Sequence, residues 1–191
     1  MLLAGHAGRA IFSRVLQVSA VTERIYNVLF LCTGNSARSI IGEAIMNKLG
    51  EGRFRAYSAG SFPKGEVHPM ALKLLTDLRF PTEELRSKSW EEFARPGAPK
   101  MDFIFTVCDN AAEEHCPVWP GHPITAHWGI EDPAAADEAH QRQAFNNALT
   151  YLRTRISLFL SLPFGAIDEM ATREELRRIG QMEGATGRAD A

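Results

Sequence analysis

Short apolar runs alternate with longer amphipathic stretches along the middle of the chain. The first run, at residues 28–31, reads Val-Leu-Phe-Leu, and a continuous apolar run of this length is typical of a strand buried on both faces. Three more short runs predict strands, and three stretches with apolar residues at helical spacing predict helices. The additional strands are predicted at 54–58, 103–107 and 124–127, and the helices at 41–49, 68–78 and 137–160.

This order of elements predicts the fold class. Strands that alternate with helices favour a single α/β domain, built on a parallel sheet with helices on both of its faces. In such sheets the reactive loops lie at the carboxyl ends of the strands. The segment that follows the strand at 28–31 is therefore a candidate for chemistry.

The amino-terminal residues 1–26 differ from the predicted domain at 27–162. They hold three arginines and one acid, Glu23, and their apolar residues are scattered. They lack the unbroken apolar core of a secretory signal. We expect an N-terminal extension that is either flexible or a short helix.

Residues 163–191 are predicted to form a C-terminal extension with one short helix. Thr172 and Glu175 have the spacing of a capping box, and Gly180 follows the helical pattern as a stop signal. Basic residues near the end of this stretch match the helix dipole. The segment carries no candidate catalytic residues.

Composition limits the possible classes of protein. The 191 residues are 45% hydrophobic and 23% charged, and 21 Lys and Arg against 23 Asp and Glu give a net charge of −2. There is no basic excess of the kind that binds nucleic acid, and no apolar run long enough to cross a membrane. The 3 cysteines are too few for a disulfide framework. Free thiols favour a reducing compartment, so a cytoplasmic enzyme or binding domain is expected.

The loop between the first strand and the first helix has the pattern of an anion-binding site. Its five small or polar residues allow successive backbone N–H groups to converge on one anion. The following helix adds the positive end of its dipole, and Arg38 can bind two oxygens of a tetrahedral oxyanion through its planar fork. The predicted oxyanion-binding residues are Thr33, Gly34, Asn35, Ser36, Ala37 and Arg38.

Cys32 precedes this loop and is the candidate nucleophile. Because a helix N-terminus and a nearby arginine both stabilise a thiolate, we expect a lowered pKa for the Cys32 thiol. Ser39 could donate a hydrogen bond to the sulfur and assist when it leaves. The alternative interpretation is a buried cysteine before an ordinary turn, with Arg38 in solvent.

The Cys-x5-Arg-Ser loop resembles that of the low-molecular-weight protein tyrosine phosphatases and of the arsenate reductases that share their fold. The similarity covers roughly residues 27–160. It implies a four-stranded parallel sheet with helices on both faces. It also implies that the loop cysteine attacks a phosphate or arsenate oxyanion.

Asp132 is followed by Pro133, as in the general acid of that family. A departing phenolate or hydroxide is a poor leaving group unless it is protonated, so the chemistry requires such an acid. Pro133 restricts the backbone beside Asp132. Glu131 is the adjacent alternative.

Two further cysteines favour the reductase branch of the family. Cys108 directly follows the third strand, and Cys116 is followed by Pro117. A phosphatase needs one cysteine, whereas reduction of an oxyanion needs further thiols to supply two electrons. The segment resembles that of thioredoxin-coupled arsenate reductases, although it has about one extra residue between the two cysteines. Ala37 also stands where many relatives have a second loop cysteine. Both cysteines could instead be buried core residues.

The predicted function is reduction of arsenate to arsenite by a relay through Cys32, Cys108 and Cys116. The resemblance implies that Asp132 protonates the leaving hydroxyl and that a thioredoxin-like protein supplies the reducing equivalents. No tightly bound cofactor is expected. One alternative is hydrolysis of phosphotyrosine through a phosphocysteine, although Ala134 replaces the aromatic residue usual after Asp-Pro in phosphatases. The other alternative is a non-catalytic sensor that binds an oxyanion without turnover.

The sequence also offers candidate ligands for two kinds of cation. Asn35, Glu43 and Ser58 match three ligands of a potassium site in some relatives. The fourth, an aspartate, is replaced near Lys88 or Ser89, and a lysine there could stand in for the ion. A zinc site is disfavoured, because the Cys and His residues at 108–127 match no common spacing of zinc ligands.

Overall fold

A computed structural model of the protein describes residues 24–113, 118–164 and 168–186. Four parallel strands form one sheet in the order β2-β1-β3-β4, so the predicted α/β fold with a four-stranded parallel sheet is confirmed. The strands are β1 (Tyr26–Leu31), β2 (Phe54–Ala59), β3 (Phe103–Thr106) and β4 (Ile124–His127). The helices are α1 (Arg38–Leu49), α2 (Pro69–Asp77), α3 (Glu91–Ala94), α4 (Asp109–Glu113), α5 (Glu138–Leu160) and α6 (Glu169–Gly180), with a 3-10 turn at Pro133–Ala135.

The central strand β1 explains why its sequence is apolar throughout. Residues 28–31 are fully buried, with neighbouring strands on both sides and helices over both faces. Their alternate side chains enter two separate clusters: Val28 and Phe30 pack with α1 and α5, and Leu29 and Leu31 pack with α3. Burial on both faces removes the apolar–polar alternation of a half-exposed strand.

Two of the larger helices, α2 and α5, begin with a side-chain cap. His68 caps α2, since its Nδ1 accepts a hydrogen bond from Met70 N at 3.1 Å. Asp137 caps α5 in the same way, through His140 N at 3.0 Å. An accepting side chain at these positions satisfies a backbone N–H that the helix leaves free.

The start of α6 differs from the prediction, because Asp168 and not Thr172 is its cap. The Asp168 carboxylate accepts from Ala171 N at 2.8 Å, whereas the Thr172 hydroxyl donates to Asp168 O from inside the helix. A carboxylate one turn earlier extends the helix past the predicted capping box. Leu176 and Ile179 of α6 are buried against the core.

The short helices α3 and α4 were not predicted, because four or five residues are too few to show a helical period. Residues 1–23 of the expected N-terminal extension lie outside the described residues. Within the described ranges, no helix is both long enough and apolar enough to cross a bilayer.

Candidate active site

The loop of residues 32–37 joins β1 to α1 at the carboxyl edge of the sheet. Cys32 is 4% exposed, and its sulfur accepts a hydrogen bond from Asn35 N at 3.2 Å. The backbone thus curls around the sulfur, and α1 begins directly afterwards at Arg38. The first turn of α1 holds no acidic residue that would compete with an anion.

Asn35 holds the loop in its curled form. Its φ of 40° lies in the left-handed region, which asparagine tolerates better than most residues. Its side-chain amide donates to Ser39 Oγ at 2.9 Å and to Ser58 Oγ at 2.8 Å, and its Oδ1 accepts from Lys88 N at 2.7 Å. Three segments of chain are therefore tied to one fully buried side chain. Sequence reasoning placed Asn35 in the loop without finding this role.

A second loop packs against the first, with Gly60 at the contact. A Cβ on Gly60 would come within 2.4 Å of Thr33 O, so no larger residue fits without moving the loop. Beyond Gly60, Phe62 N donates to Thr33 O at 3.0 Å and Lys64 N donates to Gly34 O at 2.9 Å. These bonds use the carbonyl groups of the loop and hold the two loops together.

Cys32 and Ser39 lie in direct contact, with the sulfur 2.9 Å from Ser39 Oγ. Because Asn35 Nδ2 donates to the same oxygen, the hydroxyl hydrogen of Ser39 is available to the sulfur. Ser39 is fully buried, which shields this hydrogen bond from water. The structure thus places Ser39 where it can stabilise a thiolate.

The expectation of a lowered thiol pKa is wrong. Burial raises the pKa of the Cys32 thiol above its ordinary value, and the neighbouring Cys108 raises it further. The hydrogen bond from Ser39 and, to a smaller extent, the charge of Arg38 act in the opposite direction. Removing the sulfur from water outweighs them, and this burial could not be read from the spacing of the loop residues.

Asp132 lies above the loop and pairs with Arg38. Its Oδ2 is 3.1 Å from Arg38 Nη2, and Arg38 Nη1 donates to Ile130 O at 3.0 Å. The other carboxylate oxygen accepts from Ala134 N at 3.1 Å, so Asp132 also caps the turn that Pro133 begins. The two residues predicted to act on the oxyanion are thus brought together.

Cys108 follows β3 and lies beside the loop. Its sulfur accepts from Thr33 N at 3.4 Å and is 3.7 Å from Thr33 Oγ1. Cys32 and Cys108 are both buried free cysteines. Cys116 belongs to residues 114–117, which lie outside the described part of the chain, so its predicted place in the relay stays a prediction.

Lys88 takes the position where the resemblance implies a cation. Its Nζ lies 3.2 Å from Glu43 Oε2 and 3.5 Å from Ser58 Oγ, and it also donates to Arg86 O. Burial raises the pKa of the Glu43 carboxyl, and Lys88 opposes that rise. An ammonium aimed at two of the predicted ligands does not fit a potassium site, and Lys88 is the lysine that stands in for the ion.

Among the described residues there is no group of three or more His, Cys, Asp or Glu that could hold a metal ion. His127, one of the zinc candidates, is instead hydrogen-bonded to Asp109 and Thr106, at 3.0 Å and 2.8 Å.

Comparison with known proteins agrees with this geometry. A family model described as low molecular weight phosphotyrosine protein phosphatase matches residues 27–171. The chain belongs to this family. The match runs from the second residue of β1 through α5 to the start of α6.

Within the low molecular weight phosphatase family, the curated relatives include arsenate reductases. The arsenate reductase of Oceanobacillus iheyensis is 31% identical over 134 residues, which are 69% of this chain and 93% of the relative. That of Bacillus subtilis is 31% identical over 116 residues, 61% of this chain and 80% of the relative.

Solved structures share the fold. An arsenate reductase from Archaeoglobus fulgidus has a TM-score of 0.53 and 28% identity, over 68% of this chain and 98% of its own. The Vibrio vulnificus protein Wzb, solved with benzylphosphonate, has a TM-score of 0.58 over 71% and 97% of the two chains. At 20% identity the likeness to Wzb shows the fold alone.

Proposed function

We propose that this protein reduces arsenate to arsenite with Cys32 as nucleophile and Cys108 as the second thiol. The observation that carries the proposal is the position of Cys108, whose sulfur accepts a hydrogen bond from Thr33 N within the oxyanion loop. Hydrolysis of a phosphate ester needs no second thiol there, whereas reduction needs one. The curated relatives at 31% identity are arsenate reductases, which supports the same choice.

Arsenate would bind with its oxygens toward the loop N–H groups and the Arg38 guanidinium. Arg38 now donates to Asp132 and to Ile130 O, and a bidentate oxyanion would replace at least one of these contacts. The Asp132 carboxylate released from Arg38 would remain over the leaving oxygen. Binding of the anion therefore also prepares the general acid.

The first chemical step forms a bond between Cys32 Sγ and arsenic. Because the pKa of this thiol is raised, its proton must leave first, and the bound oxyanion can accept it. Ser39 stabilises the thiolate by hydrogen bonding. As the bond forms, an As–O bond breaks. Asp132, which takes up a proton from solvent once it no longer pairs with Arg38, gives that proton so that the oxygen leaves as water.

The second step reduces arsenic. The Cys108 thiolate attacks Cys32 Sγ, so an S–S bond forms while the S–As bond breaks and its electron pair remains on arsenic. Arsenic(V) becomes arsenic(III), and the two sulfurs together lose two electrons. Arsenite leaves, and the disulfide between Cys32 and Cys108 remains.

Turnover requires that this disulfide be reduced. We propose that Cys116 attacks Cys108, which releases Cys32, and that a thioredoxin-like dithiol then reduces the pair of Cys108 and Cys116. A relay of free thiols operates in a reducing compartment, which favours the cytoplasm.

Oxidation of NADPH in the presence of thioredoxin and thioredoxin reductase tests this function. Addition of arsenate to the full-length protein should start NADPH consumption, and arsenite should accumulate in equal amount. Cys32→Ser should abolish both, while phosphate should inhibit competitively. If arsenate fails to start NADPH consumption with any dithiol donor, the reductase assignment is wrong.

Hydrolysis of phosphotyrosine is the second candidate, favoured by the family match and by the position of Asp132 over the loop. It needs Cys32, Arg38 and Asp132 but neither Cys108 nor Cys116. Efficient hydrolysis of phosphotyrosine peptides without arsenate-dependent NADPH oxidation would favour this candidate. Binding of phosphate without either turnover would indicate a sensor.

A further inference from the structure

The C-terminal part of the chain packs beside the candidate active site. Helix α6 lies against β4, and directly after that strand Trp128 Nε1 donates to Leu176 O at 3.0 Å, where Leu176 is fully buried. The chain then turns and runs back as the segment 182–186, here called the C-terminal strap. The family match ends at residue 171, so the strap lies beyond it.

Arg155 of α5 ties the strap to the loop that leads to Asp132. Its Nη1 donates to Trp128 O and Gly129 O, at 2.7 Å and 3.3 Å, and its Nη2 donates to Met182 O and Glu183 O, at 3.3 Å and 3.4 Å. The side chain is fully buried, and no carboxylate of the described residues forms an ion pair with it. A buried charge is costly unless it is hydrogen-bonded, so Arg155 needs these carbonyls, and two of the four, Met182 O and Glu183 O, belong to the strap. Arg155 Nε is buried without a hydrogen-bond partner among the described residues.

The end of the strap reaches the residue that follows Cys108. Thr186 Oγ1 donates to Asp109 Oδ1 at 2.6 Å, and Thr186 N donates to Gly129 O at 3.2 Å. A Cβ on Gly129 would come within 2.3 Å of Thr186 Oγ1 and 2.6 Å of Asp109 Oδ1. The three residues are therefore in close contact, which is possible because Gly129 has no side chain.

The same Asp109 oxygen is bound from a second side. His127 Nε2 lies 3.0 Å from Asp109 Oδ1, and His127 Nδ1 lies 2.8 Å from Thr106 Oγ1. With Asp109 ionised, Nε2–H donates to the carboxylate and the Thr106 hydroxyl donates to Nδ1. Asp109 is the first residue of α4, so the two donors together fix the backbone directly after Cys108.

We propose that Thr186 is a positioning residue for Cys108: through Asp109, the C-terminal strap keeps the Cys108 sulfur against Thr33 and in reach of Cys32. This inference rests on the proposed function, since attack of Cys108 on Cys32 is its second step. The Thr186 hydroxyl donates to Asp109, so it is through Asp109 that this hydroxyl acts on Cys108, whereas the backbone N–H of Thr186 donates to Gly129 O. Arg155 anchors the strap at its other end.

The test measures how fast Cys32 and Cys108 form a disulfide. In a Cys116→Ser background only these two of the 3 cysteines remain, so the pairing is unambiguous. Each reduced protein is mixed with arsenate or, separately, with diamide, an azo compound that takes two electrons and two protons from a dithiol. The reaction is quenched by alkylation, and the disulfide is quantified by mass spectrometry. Hydrolysis of p-nitrophenyl phosphate is measured in parallel.

Thr186→Val removes the hydroxyl and keeps the shape of the side chain. We expect disulfide formation to slow roughly 3- to 10-fold with either reagent, as the loss of one charge-assisted hydrogen bond allows. Hydrolysis of p-nitrophenyl phosphate should stay within about 2-fold, because it does not use Cys108. Thr186→Ser should restore the rate. Thr150→Val, which removes an exposed hydroxyl that donates to Asn146 O on α5, is the matched control.

Two results would overturn the proposal: an unchanged rate of disulfide formation in Thr186→Val, or an equal loss of that rate and of phosphate ester hydrolysis. The second would show that the strap acts on the whole fold. The diamide reaction separates this inference from the proposed function. If the protein with Thr186 unchanged forms the disulfide with diamide but not with arsenate, the proposed arsenate reduction is wrong. The rates of the variants with diamide still decide whether Thr186 positions Cys108.

Discussion

Asp132 and Arg38 form an ion pair directly over the oxyanion loop, with 3.1 Å between Asp132 Oδ2 and Arg38 Nη2. The Asp132 side chain is 41% exposed and that of Arg38 is 15% exposed, so solvent screens the pair on one side. This pairing predicts that a bound anion competes with Asp132 for Arg38. An anion that takes Arg38 also frees Asp132, which links binding of the substrate to readiness of the acid.

Asp132→Asn should lower the rate of aryl phosphate hydrolysis most for poor leaving groups. The acid matters in proportion to the basicity of the leaving oxygen, so phenyl phosphate should lose much more rate than p-nitrophenyl phosphate. The whole loss should lie within about 10²- to 10⁴-fold, the range of general acid catalysis. Steady-state kinetics on the two substrates make the comparison, with Glu131→Gln as the control at the neighbouring carboxylate. Equal losses on both substrates would assign the acid to another residue.

Alkylation of Cys32 should become faster as pH rises, with a midpoint above the thiol reference of about 8.5. The sign follows from burial, which raises the pKa of the thiol, so the reactive thiolate is scarce at neutral pH. Ser39→Ala should move the midpoint higher still, because it removes the hydrogen bond that lowers the pKa. Iodoacetamide labelling of Cys108→Ser, Cys116→Ser protein isolates the Cys32 thiol. A midpoint below the reference value would show that burial does not control the pKa of this thiol.

Cys108→Ser should stop arsenate reduction while leaving hydrolysis of p-nitrophenyl phosphate within about 2-fold of the unmodified protein. Arsenate would react with Cys32 and go no further, because no second thiol can break the S–As bond. Cys116→Ser should instead allow one turnover and leave a disulfide between Cys32 and Cys108, visible by non-reducing peptide mass spectrometry. Reduction of arsenate at an unchanged rate by the double variant with thioredoxin would contradict the relay.

Lys88→Met should destabilise the protein by about 3 kcal/mol near neutral pH, as expected when one partner of a buried ion pair is removed. Glu43 is 7% exposed and would then be a buried carboxylate without its cation. Its pKa, already raised by burial, would rise further. Because a raised carboxyl pKa favours folding at low pH, the deficit should shrink as pH falls toward the unfolded value of about 4.3. Urea unfolding across this pH range measures the loss of unfolding free energy. The control is Lys73→Met, which removes one partner of an exposed ion pair on α2.

The position of Lys88 also predicts how the activity of the protein depends on potassium. With its own ammonium between Glu43 and Ser58, the protein should show equal activity in potassium chloride and in choline chloride at the same ionic strength. In Lys88→Met, potassium would be expected to raise the melting temperature more than choline, since Glu43 and Ser58 are oxygen donors. Activation of the unmodified protein by potassium would show that Lys88 does not replace the ion.

The sequence predicted the sheet and the loop because each leaves a local signal. An apolar run at 28–31 followed by small residues and Arg38 is recognised without knowledge of distant contacts. The structure brings Arg38 to Asp132 and Cys108 to Thr33.

Other features depend on contacts between distant parts of the chain. The pKa of Cys32 follows from burial by surrounding segments, and the spacing of loop residues cannot report it. Lys88 is separated by 53 residues from Asn35, to which its backbone N–H donates. The hydrogen bond of Thr186 to Asp109 spans 77 residues, and a threonine near a chain end carries no signal of its own.

Arg155 makes helix α5 and the C-terminal strap depend on each other. Two of its four carbonyl partners belong to residues 182 and 183, beyond the segment shared with the family, which ends at residue 171. In a chimera that joins the first 171 residues to another C-terminus, this guanidinium would lose half of its acceptors while still buried. A transplanted strap would likewise need an arginine at the equivalent helix position in its new host. Any exchange of parts between this protein and its relatives must therefore move the arginine and the strap together.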